Sequence, residues 1–245
     1  MTDLIDAHAS VGAYPRAYTG SRTAQELADS LRRLGIGAAV VGSTAAVWHD
    51  PVGGNAEALA AGRVPGLLPC LTVVPPTPGE LDDVAAFVIE GIAAGAVAAR
   101  IHPATHDFDP LDPALDSFYD TLVANSLPLT VDLPDVDWPT IDQLTVRWPD
   151  LPIIVSALGY RALRRLAAIF RRRPNLYADT VNFATHEGWE WFVRHFGAER
   201  LLFATGAPLR DPAEAVARLR WSRLSEADQR LVGHGNAARL FRGVA

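Results

Sequence analysis

Short apolar runs alternate with amphipathic stretches along the whole chain. The runs Leu4–His8, Ala38–Gly42, Gly66–Val73, Ala96–His102, Leu129–Asp132, Ile153–Ala157, Leu176–Thr180 and Arg200–Thr205 are brief and rich in Val, Ile, Leu and Ala. Near-continuous apolar character over so few residues predicts parallel strands covered on both faces. Between them, Ala24–Leu34, Glu80–Ala94, Ala114–Ala124, Tyr160–Arg172, Gly188–Phe196 and Pro212–Arg220 carry helical periodicity. Thr23 followed by Glu26 predicts a capping box, and Gly35 falls where that helix should stop. A last helical pair, Glu226–Val232 and Ala237–Phe241, closes the chain. Repeated strand–helix alternation predicts an α/β fold with a parallel sheet. At 245 residues the chain suits a single (β/α)8 TIM barrel, one domain spanning 1–245, better than an open doubly wound sheet. The segments 107–113 and 133–139 read as loops after the fourth and fifth strands. Neither a G-x-G-x-x-G run nor a P-loop follows any strand, which removes the usual nucleotide-binding reading.

In such a barrel chemistry sits at strand C-terminal ends. There the chain offers Asp6, His8 and Ser10, then Arg100 and His102, then Asp132 and Asp135. Further on come Ser156 and Ala157, Asp179 and Asn182, and finally Thr205 and Gly206. Residues two apart on a strand share a face, so Asp6 with His8, and Arg100 with His102, are expected to project together.

Composition narrows the options. Apolar residues make up 49% and charged residues 20%, enough for a large core. A net charge of −6 argues against a nucleic-acid partner, which needs a basic face. Cys70 is the single cysteine, so neither an internal disulfide nor a cysteine zinc cluster is expected. No charged leader with an apolar core precedes the first strand, and the longest apolar stretch, Ala93–Ala99, is far shorter than a bilayer requires. A cytoplasmic protein without membrane contact is the expectation. Every basic residue is arginine, so Schiff-base chemistry, PLP attachment and a carbamylated-lysine metal bridge are excluded.

The strand ends resemble, in order, those of the amidohydrolase superfamily, in particular its amidohydrolase-related branch of decarboxylases, lactonases and hydrolases. The resemblance is carried by I-D-A-H at 5–8, A-R-I-H-P at 99–103, L-P-L-T-V-D at 127–132 and L-P-I-I-V-S-A-L-G at 151–159. It continues through P-N-L-Y-A-D-T at 174–180, G-A-E-R-L-L-F-A-T-G-A-P at 197–208 and G-N-A-A-R-L-F at 235–241. No single piece is specific; the ordered set is. The family implies a metal held by a His-x-His pair on the first strand, histidines on the fifth and sixth, and an aspartate on the eighth that also serves as general base. In this chain those positions read His8 and Ser10, Asp132, Ala157 and Gly206. A catalytic zinc keeps three protein ligands and an open position for water. The departure therefore predicts a degenerate site with no metal and no other cofactor, unless Asp6 or His102 rebuilds one.

Two readings follow. In the first, the chain is a pseudoenzyme that binds a small ligand or serves as a partner subunit, as a homo-oligomer or beside an intact paralogue. In the second it is a metal-independent hydrolase, lactonase or lyase acting on a small carboxylated molecule. There His8 and Asp132 supply acid/base chemistry, Arg100 anchors a carboxylate, and His102, Asp6 and Ser10 touch the substrate. Bland alternatives stand beside each role: His8 as a hydrogen-bonded relic, Arg100 with Asp132 as a charge plug, and His102 and Asp179 as structural strand-end residues. Asn236 reads as a turn or capping residue, and the arginines at 161–173 as a solvated face. Trp48, Trp138, Trp189 and Trp191 line either the mouth or the core.

Overall fold

A computed structural model describes residues 4–16, 23–77 and 79–243. One eight-stranded parallel sheet runs in the order β1 to β8. Its strands are β1 Leu4–Val11, β2 Ile36–Ser43, β3 Leu67–Thr72, β4 Ala98–Ile101, β5 Leu129–Asp132, β6 Ile153–Ser156, β7 Leu176–Asp179 and β8 Leu201–Leu202. Backbone bonds from Ala7 to Phe203 (2.9 Å), Gly206 to His8 (2.8 Å) and Ser10 to Ala207 (2.8 Å) join the last strand region to the first. The (β/α)8 barrel expected from the sequence is therefore the fold.

Helices α1 Ala24–Arg33, α2 Thr44–Trp48, α3 Pro51–Ala61, α4 Val84–Ala93, α5 Pro103–His106 and α6 Asp116–Ala124 serve the first half. The second half uses α7 Trp138–Arg147, α8 Leu163–Phe170, α9 Gly188–Phe196, α10 Pro212–Arg220, α11 Glu226–Arg230 and α12 Asn236–Leu240. Among the described residues no helix is long and apolar enough to cross a membrane. The capping box at α1 forms as expected, with Glu26 N–H donating to Thr23 Oγ1 (3.2 Å) and Thr23 N–H to Glu26 Oε2 (3.0 Å).

Helices α2, α3, α5 and α7 are absent from the periodicity reading. In α3 the pair Gly53-Gly54 masks the pattern, yet Asp50 caps it and Pro51 starts it. A Cβ at Gly54 would lie 2.1 Å from the Ala46 backbone nitrogen, so the glycine is what lets α2 and α3 touch. The stretch 133–139 is only partly loop: Asp137 caps Thr140 N–H at 2.9 Å and Trp138-Pro139 already begins α7, because proline suits the first helical turn. The eighth strand is shorter than expected. Beyond Leu202, the Thr180 hydroxyl bridges both backbone groups of Ala204 (2.7 Å each), and Phe203 N–H turns to Val232 O (2.9 Å), so side chain and tail replace the ladder.

Two apolar clusters fill the molecule. The larger lies between the sheet and its helices. The smaller gathers Ile5, Val40, Cys70, Ala98, Ile154 and Leu202 with Ala237 and Phe241. Strands that are not neighbours meet only on the barrel axis, so this cluster is the interior, plugged at one end by α12. Polar side chains occupy the other end.

Candidate functional site

Asp6, on β1, is fully buried. Its oxygens accept from His8 N–H (3.0 Å), from Thr205 N–H (2.9 Å) and from the Thr205 hydroxyl. Burial nevertheless pushes its carboxyl up to about 7, against the pull of those bonds. These bonds fasten β1 to the end of β8. Ser10 is half-buried, and its backbone N–H is part of the same closure.

His8 is 8% exposed. Its Nδ1 lies 2.9 Å from Ser156 Oγ, 3.4 Å from Asp179 Oδ2 and 3.9 Å from Asp132 Oδ1. Asp132, offered by the sequence beside His8 for acid/base chemistry, is thus beyond hydrogen-bond reach of the ring. The nearer carboxylate is Asp179, a residue the sequence offered without a partner. Burial first, and Arg100 next, push His8 down to about 3, so the ring is neutral at ordinary pH. Asp179 is fully buried and pushed up to about 7 by desolvation. Its Oδ1 accepts from Val181 N–H (3.0 Å), whereas Oδ2 has no hydrogen-bond partner.

Arg100 projects from β4 and is 4% exposed. Its Nε and Nη2 have no hydrogen-bond partner, and among the described residues it makes no ion pair. The charge plug with Asp132 considered from the sequence does not form. Asp132 closes β5, is partly exposed, and leaves Oδ1 unpartnered.

His102 follows β4 and is 5% exposed. Its Nδ1 bonds Asp135 Oδ2 at 3.0 Å, and Asp135 Oδ1 accepts from Thr105 N–H (3.1 Å) and Thr105 Oγ1 (2.9 Å). Burial works against charge on Asp135, but His102 and Thr105 outweigh it and hold the carboxyl below its usual range. His102 Nε2 has no partner.

At the other positions implied by the resemblance, Ala157 presents a methyl group at φ 54° and Gly206 sits at φ 71°. A Cβ at Gly206 would meet Arg210 Cδ at 3.2 Å and Val181 Cγ1 at 3.3 Å. Arg210, which sequence reasoning missed, borders that position, and its charge adds to that of Arg100 in keeping His8 neutral. Ser156 and Thr205 were offered as strand-end residues without roles; their signal is position alone. Trp48 lines a cavity of about 470 Å³ with His49, Glu80 and Phe108, over the loops after β2 to β4. Trp138 and Trp189 are buried in the core, and Trp191 packs against it. Asn236 ties the Ala198 and Leu201 carbonyls (2.7 and 2.8 Å). Arg161, Arg164, Arg165 and Arg171 are solvated as expected, whereas Arg172 and the partly buried Arg173 bond Asp142 (3.1 and 2.7 Å).

Similarity to known proteins follows the same lines. The chain matches 5-carboxyvanillate decarboxylase from Sphingomonas paucimobilis with a TM-score of 0.76, 15% identity and 99% of both chains covered. It matches 2,6-dihydroxybenzoate decarboxylase from Rhizobium with a TM-score of 0.69 and 18% identity over 98% of each chain. For 4-oxalomesaconate hydratase from Rhodopseudomonas palustris the values are 0.68 and 14%, over 97% of this chain and 95% of that one. At such identities the likeness concerns the fold. No curated protein sequence matches the chain significantly. The family model Amidohydrolase matches residues 5–243, and the chain therefore belongs to the amidohydrolase family.

Proposed function

We propose that this barrel is an enzyme of small carboxylated molecules, with Arg100 as the anchor for a substrate carboxylate. The observation that carries the proposal is the buried guanidinium with two unpartnered nitrogens. Leaving such donors unsatisfied costs a few kcal/mol, and the Nε/Nη2 edge is shaped for bidentate pairing with a carboxylate. Arg210 strengthens the preference for an anion. The similar decarboxylases and hydratase are named for carboxylated substrates, which agrees with this class.

We infer further that the family's metal cage does not fit here. Ser10, Ala157 and Gly206 offer poor donors or none. Proton handling then falls to the chain's own side chains. A neutral His8 that donates from Nδ1 toward Ser156 and Asp179 keeps Nε2 as its basic nitrogen. Asp179, titrating near neutrality, is a store from which a proton passes to or from that ring. Lyase or hydrolase chemistry on the anchored molecule is the reaction class.

One observation favours the non-catalytic reading: a histidine pushed down to about 3 is a weak base. The experiment for both is calorimetric titration with a panel of small mono- and dicarboxylates, followed by NMR of the mixture for turnover. Binding in the wild type that is lost in Arg100→Gln supports the anchor. Binding without turnover favours the ligand-binding reading, and absence of any carboxylate binding removes the proposal.

A further inference from the structure

We propose that His102 accepts the proton of an O–H group on or beside the molecule that Arg100 anchors, with Asp135 as its positioning residue; the role rests on that anchor. Arg100 and His102 sit two apart, at and just beyond the end of β4, a spacing that turns both side chains to one face. After burial, the charges that act on His8 are those of Arg100, Asp132, His102 and Arg210, which gathers all four around one centre. A ring nitrogen of His102 also lies within 4.8 Å of an Asp132 oxygen.

Hydrogen bonding fixes which nitrogen is free. Asp135 accepts on both oxygens: Oδ1 takes Thr105 N–H (3.1 Å) and the Thr105 hydroxyl (2.9 Å), and Oδ2 lies 3.0 Å from His102 Nδ1. Burial works against charge on Asp135, but His102 and Thr105 hold its carboxyl below the usual range, so it is ionised. The proton of the neutral ring therefore sits on Nδ1 and the lone pair on Nε2. That nitrogen is buried and has no partner. His106, edge-on at 5.9 Å, is spent on Val47 O through its own Nε2 (2.9 Å). A structural histidine buried this far usually uses both nitrogens.

In this step Nε2 takes the proton of a substrate hydroxyl or of an attacking water. The N–H bond forms as the O–H bond breaks, and the electron pair stays on oxygen. The imidazolium so formed stands against the Asp135 carboxylate, which holds the ring's orientation and offsets its charge. His8 lacks such support. Asp179, 3.4 Å from it, is pushed up to about 7 by burial, and burial with Arg100 pushes the ring down to about 3. The histidines thus divide the work, His102 receiving a proton and the Asp179–His8 pair supplying one. Pro103 and Ala104 border a cavity of about 480 Å³, and Thr105 and His106 one of about 470 Å³, so a small molecule has room beside the ring.

The test combines long-range ¹H–¹⁵N NMR of histidine-labelled protein with calorimetry and turnover across mono- and dicarboxylates, malate and succinate among them. We expect ligand-free His102 in the Nδ1–H tautomer. For the carboxylates that react, His102→Gln should lower kcat at least about 100-fold, and Asp135→Asn at least about tenfold. Their Kd values should stay within about threefold of wild type, a split that a merely structural role would not give. Melting curves establish which variants fold; should neither fold, the wild-type tautomer decides. An Nε2–H tautomer, a near-normal kcat in folded His102→Gln, or carboxylate binding without turnover would overturn the base while leaving the Arg100 anchor standing. No carboxylate binding at all would remove the anchor, and this role with it.

Discussion

Arg100 and Asp132 stand on adjacent strands at the same mouth and do not pair: the guanidinium's Nε and Nη2 and the carboxylate's Oδ1 all lack partners. A charge plug would have spent both residues on each other. Kept apart, each remains available to something that enters.

This separation has a stability consequence. A buried cation without a partner is a cost that an apolar side chain of similar length avoids. Arg100→Met is expected to be as stable as the wild type or more so, by about 1 kcal/mol or more, while losing carboxylate binding. Urea unfolding in the absence of ligand checks it. A variant destabilised by several kcal/mol would mean that the guanidinium already has its partners.

Asp179 makes stability depend on pH. Its carboxyl is raised from 3.8 to about 7, so between those values the folded chain holds a proton that the unfolded chain gives up. Its contribution therefore declines as pH rises from about 4 to about 7, and the penalty is complete above that. Asp179→Asn removes the penalty, so its melting temperature relative to wild type should climb between pH 5 and 8. His8 acts with the opposite sign, since a pKa lowered to about 3 costs stability as pH falls below about 6.5. A pH-independent difference for Asp179→Asn would contradict the burial argument.

Thr205 closes the barrel through Asp6. Thr205→Val leaves a buried carboxylate oxygen without its hydroxyl donor and is expected to cost about 1–3 kcal/mol, with Thr205→Ser near wild type. Equal stability of Val and Ser variants in chemical denaturation would refute the fastening role.

Gly206 offers a test of the missing acid. Gly206→Asp restores the residue type the family carries, but at φ 71° and with Arg210 Cδ 3.2 Å from the new Cβ. We expect about 1–2 kcal/mol of destabilisation and no gain in zinc affinity. A tight new metal site in that variant would show that the remaining strand ends still supply donors enough for the old cage.

The barrel was legible because its strands are buried on both faces, so apolar runs such as Leu129–Asp132 marked themselves. Helix α7 was obscured because Trp138-Pro139 reads as a breaker until Asp137 is recognised as its cap. At the mouth, strand-end position pointed to His8, Arg100, His102 and Asp132. Which carboxylate faces which histidine could not be read, since Asp179 reaches His8 across the barrel and Asp135 reaches His102 from a loop. Spacing along one strand says nothing of such encounters. Arg210 escaped notice for the same reason: it lies in the loop after β8, and only folding brings its charge to bear on His8.

A crystal structure with the tightest-binding small carboxylate tests the central claim most directly. The account expects its two oxygens ~3 Å from Arg100 Nε and Nη2, with Asp132 still unpaired with that guanidinium. A carboxylate bound elsewhere while Arg100 stays unsatisfied, or an Arg100–Asp132 ion pair sealing the mouth, would contradict it.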